Sequence, residues 1–123
     1  IKKKHTFLSK KITIKSFEVK HGSINSLCYT INDNLAYASD VSFISKKNYP
    51  NITNLQYFVV DCLREKPHPS HYNLDKILNL ISIIKPKYTI LTNLHSSLDY
   101  EKLKKKLPKF VFPAYDGMKL ILN

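Results

Sequence analysis

The sequence predicts an α/β (α+β) domain in which an antiparallel meander of three strands is followed by a β-α-β unit. Residues 12–19, 26–31 and 35–39 are short runs rich in β-branched and aromatic residues, separated by turn sequences. A continuously apolar strand, a helix with 3.6-residue periodicity and a further strand follow. With 123 residues, of which 43% are hydrophobic, the chain can build one core and not two.

The meander places two polar side chains at one edge of the predicted sheet. His21 follows its first strand and Asp40 follows its third. These two strands run in the same direction, so both residues should lie at the same edge, about 9 to 10 Å apart at the backbone. Two side chains can span that distance and meet at a metal ion.

The β-α-β unit is predicted from a buried strand at 57–60, a helix from Leu74 to Ile84 and a strand at 88–92. Asn73 is the predicted cap of the helix, and Pro86 stops it. Ligand sites in such units lie at the carboxyl ends of the strands, where the connecting loops diverge.

Three histidines occupy those carboxyl-end loops. His68 and His71 follow the first strand of the unit, and His95 follows the second. A second short helix, capped by Ser97, is predicted next. After it, residues 110–112 and 118–122 flank a predicted turn at 114–117.

Histidine and aspartate at strand ends indicate a metal site, because imidazole and carboxylate together suit zinc, manganese or iron. The alternative is structural: His21 would be a polar residue beside a glycine turn, and Asp40 a turn residue bonded to its own backbone. The loop 67–71 feeds into a helix N-terminus, a place that attracts phosphate. Its alternative is a rigid loop braced by prolines.

The net charge of +11 would by itself suggest an anionic partner such as nucleic acid. Nineteen of the twenty basic residues are lysine and only Arg64 is arginine, which argues against a nucleic-acid reader. Cys28 and Cys62 are predicted to be buried free thiols. No apolar run is long enough to span a membrane, so we expect no membrane partner and a cytoplasmic location.

Six sequence strings resemble those of metallo-β-lactamase-fold hydrolases of the phosphoribosyl cyclic phosphate phosphodiesterase type. They occur in the family's order and cover the chain from about residue 12 onward. The strings are FEVKHG (17–22), LAYASDV (35–41), VDCLR (60–64), PHPSH (67–71), LTNLH with LDY (91–95 and 98–100) and PAYDGM (113–118).

The resemblance implies half of a four-layer αββα sandwich with two divalent metal ions, zinc or manganese, at the edge between its two sheets. It implies that His21 completes the shell of the first ion and that Asp40 bridges both. His71 would assist the phosphodiester or protonate its leaving oxygen. His68, Arg64 and Asn93 are expected to bind substrate or to support the ligands.

The sequence departs from the family pattern in two places. Asn93 stands where the last histidine of the second ion is expected, and His95 follows two residues later, so we assign the second ion to His95. The family's H-x-H-x-D-H cluster is absent from residues 1–123. We therefore interpret the chain as the C-terminal half of the domain, with an N-terminal half as its missing partner.

The function predicted from the resemblance is hydrolysis of a small phosphodiester of the cyclic phosphate type. The chain alone is expected to be inactive and not to bind both ions fully, since each would have about two protein ligands. A sheet face carrying Ile12, Ile14, Phe17 or Val19 should be partly uncovered. Two other functions stay open: a basic nucleic-acid-binding module and a non-catalytic remnant of the fold.

Overall fold

The computed structural model describes residues 7–9 and 12–123, which contain a seven-stranded mixed sheet. The strands lie in the sheet in the same order as in the chain. In chain order the strands are β1 (Phe7–Ser9), β2 (Ile12–His21), β3 (Ile24–Ile31), β4 (Leu35–Ala38), β5 (Tyr57–Asp61), β6 (Tyr88–Thr92) and β7 (Val111–Pro113). The helices are α1 (Leu74–Ile84) and α2 (Tyr100–Lys106), and a 3-10 helix spans Lys46–Asn51.

The predicted meander and β-α-β unit are both confirmed. Strands β2, β3 and β4 pair antiparallel, and β5 pairs parallel with both β4 and β6. The crossover between β5 and β6 contains α1. The end of β2 and the end of β4 therefore lie at the same edge as the carboxyl end of β5. A short first strand, β1, was not predicted and pairs antiparallel with β2.

One face of the sheet forms the core together with the helices. Its side chains alternate along each strand, as period-two geometry requires. The buried members include Phe17, Val19, Cys28, Ala36, Ala38, Phe58, Val60, Leu91 and Val111. From α1 the buried side chains Leu74, Ile77, Leu80 and Ile84 pack into the same cluster, as the helical periodicity predicted.

The opposite face of the sheet is apolar and partly open. Ile12, Tyr29, Tyr37 and Phe112 remain 40 to 46% exposed on it. The expected uncovered face is thus confirmed for Ile12 and for Ile14, which is half-buried. It is wrong for Phe17 and Val19, because residues at odd positions of β2 point to the helix-covered face and are only 5% and 3% exposed.

Three details differ from the sequence expectations. Asn73 precedes α1, but its side chain donates to the Glu65 carbonyl and caps nothing. The cap of α2 is Asp99, whose carboxylate accepts from the Lys102 amide at 3.0 Å, and not Ser97.

The turn predicted at 114–117 is confirmed, since the Met118 amide donates to the Tyr115 carbonyl, but the segments that flank it do not form a hairpin. Strand β7 pairs parallel with β6, and residues 118–123 form no strand. The last residues are held by Gln56 instead: its side chain donates to the Ile121 carbonyl and accepts from the Asn123 amide.

The two cysteines are free and buried, as predicted. Burial raises the pKa of both thiols to about 12, with the nearby Asp61 carboxylate adding to the effect. Both therefore stay protonated at neutral pH. In the part of the chain that the structure describes, no helix has the length and apolar character needed to cross a bilayer.

Candidate metal centre

His21, Asp40 and His71 meet at the edge where β2, β4 and β5 end. One potential ligand atom from each of the three side chains lies within 4.8 Å of the others. The predicted approach of His21 and Asp40 is therefore observed. His71, expected in the same crevice as a catalytic residue, joins them at ligand distance. The sheet supplies His21 and the loops after β4 and β5 supply the other two.

The turn after β2 fits the loop that carries His71. Gly22 has a φ of 62°, and a Cβ at this position would lie 2.7 Å from Ser70 Oγ. Its amide donates to Ser42 Oγ at 3.0 Å, which ties the turn to the segment after Asp40. Asp40 itself has a φ of 51°, a conformation that aspartate tolerates better than most residues. Glycine and aspartate thus allow three separate segments to converge.

The ring of His21 has a fixed orientation. Its Nδ1 lies 2.6 Å from the Ser70 carbonyl oxygen. A carbonyl can only accept a hydrogen bond, so Nδ1 must carry the proton and Nε2 keeps its lone pair. This is the usual arrangement of a metal-binding histidine, in which the outer hydrogen bond selects the tautomer.

His71 is oriented by a buried carboxylate. Its Nδ1 lies 2.5 Å from Asp61 Oδ2, and the Asp61 side chain is fully buried. The same carboxylate accepts from the Val41 amide at 3.1 Å and from Asn93 Nδ2 at 3.3 Å. The Nδ1 of His71 is thereby committed to Asp61, and Nε2 is the ring nitrogen left for chemistry.

Asp61 is the residue of the site that the sequence analysis did not single out. It ends the apolar run Tyr57–Asp61, and it is the only buried carboxylate among the described residues. A charge that ends a buried strand needs partners, because an unpaired buried carboxylate is costly. The position of Asp61 at the end of a buried strand is the feature of the sequence from which its role could have been predicted. Asn93, expected to hydrogen-bond beside the ligands, contacts both Asp61 and His71.

His68 and Arg64 shape the loop that carries His71. His68 Nδ1 accepts from the Ser70 amide at 3.1 Å, and its ring centroid lies 5.2 Å from that of His71. Desolvation lowers the pKa of His68, with a further contribution from the Arg64 charge. The Arg64 guanidinium donates to the carbonyls of Lys66 and Pro67. Both side chains are thus engaged in holding the loop.

His95 lies outside the three-residue group. Its Nδ1 accepts from the Ser97 amide at 3.0 Å, and its side chain is exposed beside Arg64 and Lys66. Its backbone amide donates to the Leu63 carbonyl, which fixes the segment after β6. Its role as ligand of a second ion stays a prediction, as does the catalytic role of His71.

The three side chains suit a divalent transition metal. Two imidazoles, each with Nδ1 committed to an acceptor, present Nε2 as a neutral donor, and Asp40 offers an exposed carboxylate. Nitrogen and carboxylate donors of this kind hold zinc or manganese. Three donors leave the coordination shell of one ion open, which is the arrangement of catalytic sites.

No protein-family model and no curated protein matches the chain, whereas many solved structures do. A diphosphatase of the PhnP family is 28% identical, with a TM-score of 0.91 over 97% of this chain and 47% of that chain. The metallo-β-lactamase-fold protein YhfI from Bacillus subtilis is 16% identical, with a TM-score of 0.79 over 96% of this chain and 53% of that one. Zinc-bound PqqB from Methylobacterium extorquens is 12% identical, with a TM-score of 0.75 over 96% and 53%.

These similarities extend over nearly the whole chain but only about half of each solved chain. They confirm the expected fold class, a partial metallo-β-lactamase sandwich whose meander is followed by a β-α-β unit. The zinc in PqqB shows that a member of this fold binds a divalent ion. The chain therefore has the fold of about half of a metallo-β-lactamase domain.

Proposed function

We propose that the chain is part of a metal-dependent hydrolase with two divalent ions, zinc or manganese, that acts on small phosphodiesters of the cyclic phosphate type. The observation that carries the proposal is the meeting of His21, Asp40 and His71 within 4.8 Å, with Nε2 of both histidines left free. His21 would hold the first ion, Asp40 would bridge both, and His95 would serve the second.

A divalent ion at this place would supply a Lewis acid and an activated water for attack at phosphorus. The protein residues have separate tasks. The hydrogen bond to the Ser70 carbonyl fixes the ring of His21, and the turn at Asp40 positions its carboxylate. In the extended protein, where the missing N-terminal half supplies the other ligands, His71 would not bind the ion. Its Nε2 would then carry a proton to the leaving oxygen, and Asp61 on Nδ1 would stabilise the positive charge of the ring. Asn93 keeps Asp61 oriented.

A phosphate ester is an anion and so fits the positive net charge of the chain, which has twenty lysine and arginine residues and nine acidic residues. The solved PhnP-family protein is a diphosphatase, so phosphoric anhydrides are a related substrate class to be compared. The cyclic phosphate assignment comes from the resemblance of the six sequence strings. The free cysteines favour a reducing compartment, the cytoplasm.

We further propose that the remaining ligands come from a segment equivalent to the half of the solved diphosphatase that this chain does not cover. The open apolar face around Tyr29 and Tyr37 is where that segment would pack. Without that segment, the three donors in the described residues would hold an ion only weakly. The 123-residue chain alone is then expected to be inactive.

The experiment measures hydrolysis of bis(p-nitrophenyl) phosphate and of a nucleoside 2′,3′-cyclic phosphate, with zinc or manganese, by two proteins. The chain of 123 residues should stay at the background rate. A protein extended at its N-terminus by its own preceding segment should hydrolyse at least one substrate, and a chelator should stop it. Metal-independent hydrolysis would contradict the proposal, as would an extended protein without activity on either ester. If the chain alone is active and Asp40→Ala abolishes that activity, only the proposal that the chain is incomplete would be contradicted.

A further inference from the structure

A cavity of about 510 Å³ lies beside the candidate metal centre, on the helix-covered side of the sheet. Its walls are the segment after β4, the loop 68–72 and the outer surface of α1. The volume is in the range of small-molecule sites. Its floor is formed by core side chains such as Ile44, Tyr72 and Leu80, so the cavity is separate from the open sheet face.

Two residues of the wall also belong to the surroundings of the metal centre. Ser42 Oγ accepts from the amide of Gly22, the neighbour of His21. His68 lies with its ring centroid 5.2 Å from that of His71. The cavity therefore adjoins the surroundings of the centre at Ser42 and His68.

The side chains that line the cavity indicate the kind of molecule that it can bind. Phe43 and Ile83 stand at the rim with 54% and 59% of their surfaces exposed, and Tyr49 and Pro69 add further apolar surface. Large exposed side chains that converge on one cavity indicate a binding surface. Lys76 is the one permanently charged side chain of the lining and Asn79 its one amide. Both can donate to acceptor atoms on a ring.

We propose that this cavity binds a planar aromatic substituent of the phosphoester substrate, one that carries hydrogen-bond acceptors, such as a nucleobase. The inference rests on the proposed function, because the phosphate at the metal centre brings its substituent to the cavity. Phe43 and Ile83 cover the faces of the ring, and Lys76 meets its acceptors. The cavity thus sets which esters are preferred.

The test compares phenyl phosphate with methyl phosphate by NMR titration of the isotope-labelled chain in the presence of zinc, which would hold the phosphate at the centre. Covering roughly 60 Å² of apolar surface corresponds to about a tenfold gain in affinity. Phenyl phosphate should therefore bind about tenfold more tightly and shift the signals of Tyr49, Leu80 and Ile83. In the Phe43→Ser, Ile83→Gln double variant the preference should fall to about twofold. The control Ile121→Gln alters an isoleucine that is 76% exposed elsewhere, and should retain the preference.

Equal affinity for the two phosphates, or a preference unchanged in the double variant, would overturn the inference. Because both rim residues are exposed, loss of folding is not the expected effect of replacing them, and the dispersion of the NMR spectrum checks it. The outcome is independent of hydrolysis. A phenyl preference in a protein that never hydrolyses esters keeps the aryl phosphate site and removes the proposed function, whereas hydrolysis without the preference removes only this inference.

Discussion

Replacing Asp40 by asparagine should weaken zinc binding by the chain about 100-fold or more. Loss of groups that merely support metal ligands already costs about 10- to 100-fold in affinity, and Asp40 is itself a donor of the three-residue group. The amide keeps the size of the side chain but removes its charge. Asparagine also tolerates the left-handed backbone at this position, so the fold should be unaffected.

The matched control is Asp33→Asn. Asp33 has a φ of 52°, close to the 51° of Asp40, and it is an exposed aspartate that pairs with Lys15. An exposed pair of this kind contributes between about 0 and 1 kcal/mol, so this variant should bind zinc like the parent chain. Isothermal titration of both variants gives the comparison. Equal losses in the two would show that the zinc had bound to surface carboxylates in general.

Replacing Asp61 by asparagine should reduce metal affinity, and activity in the extended protein, by about 10- to 100-fold. The carboxylate accepts the Nδ1 proton of His71, whereas an amide can instead donate to Nδ1. The ring would then move its proton to Nε2, the atom that faces the candidate centre. Oδ2 also accepts from the Val41 amide, so an asparagine that donates to Nδ1 from this position loses that hydrogen bond, at a cost of about 1 to 3 kcal/mol that the fold should survive.

The tautomer of His71 is read from the nitrogen shifts of its ring by long-range proton–nitrogen NMR. Asn93→Ala is the control, because it removes a longer hydrogen bond to Asp61, at 3.3 Å, and keeps the acceptor of Nδ1. Asp61→Ala should differ by losing about 3 to 5 kcal/mol of stability, since a buried amide and an imidazole lose their partner. A His71 ring that keeps its proton on Nδ1 in Asp61→Asn, with full metal affinity, would contradict the role given to Asp61.

The sequence predicted the elements and the edge of the sheet better than the loops. His21 lies at the end of β2 and Asp40 follows β4, and these two strands of a meander run in the same direction. Their approach could therefore be predicted from the local strand pattern alone. His71 depends on the path of residues 62–73, which is set by contacts distant in sequence. Gly22 against Ser70 and Asp61 beneath the His71 ring are two of them. No local spacing encodes those contacts.

The errors of prediction share a cause. Ser97 and Asp99 are both good caps, but the Ser97 hydroxyl lies 3.0 Å from His95 Nδ1, and Asp99 is the residue that caps α2. Residues 118–122 have strand-like composition, but Gln56 binds the Ile121 carbonyl and the Asn123 amide, and the segment forms no strand. In both places local preference was satisfied by more than one arrangement, and tertiary hydrogen bonds selected one of them.

The most direct test of the metal centre is paramagnetic broadening of the NMR signals of the chain by substoichiometric manganese. Binding need not be tight for this effect, so an incomplete shell is no obstacle. Signals of His21, Gly22, Asp40, Ser70 and His71 should broaden first, and His95→Ala should leave the pattern unchanged because His95 is not within the group that forms the first site. Broadening that begins at surface acids such as Glu101 and Asp116 and spares these five residues would contradict the assignment of the centre.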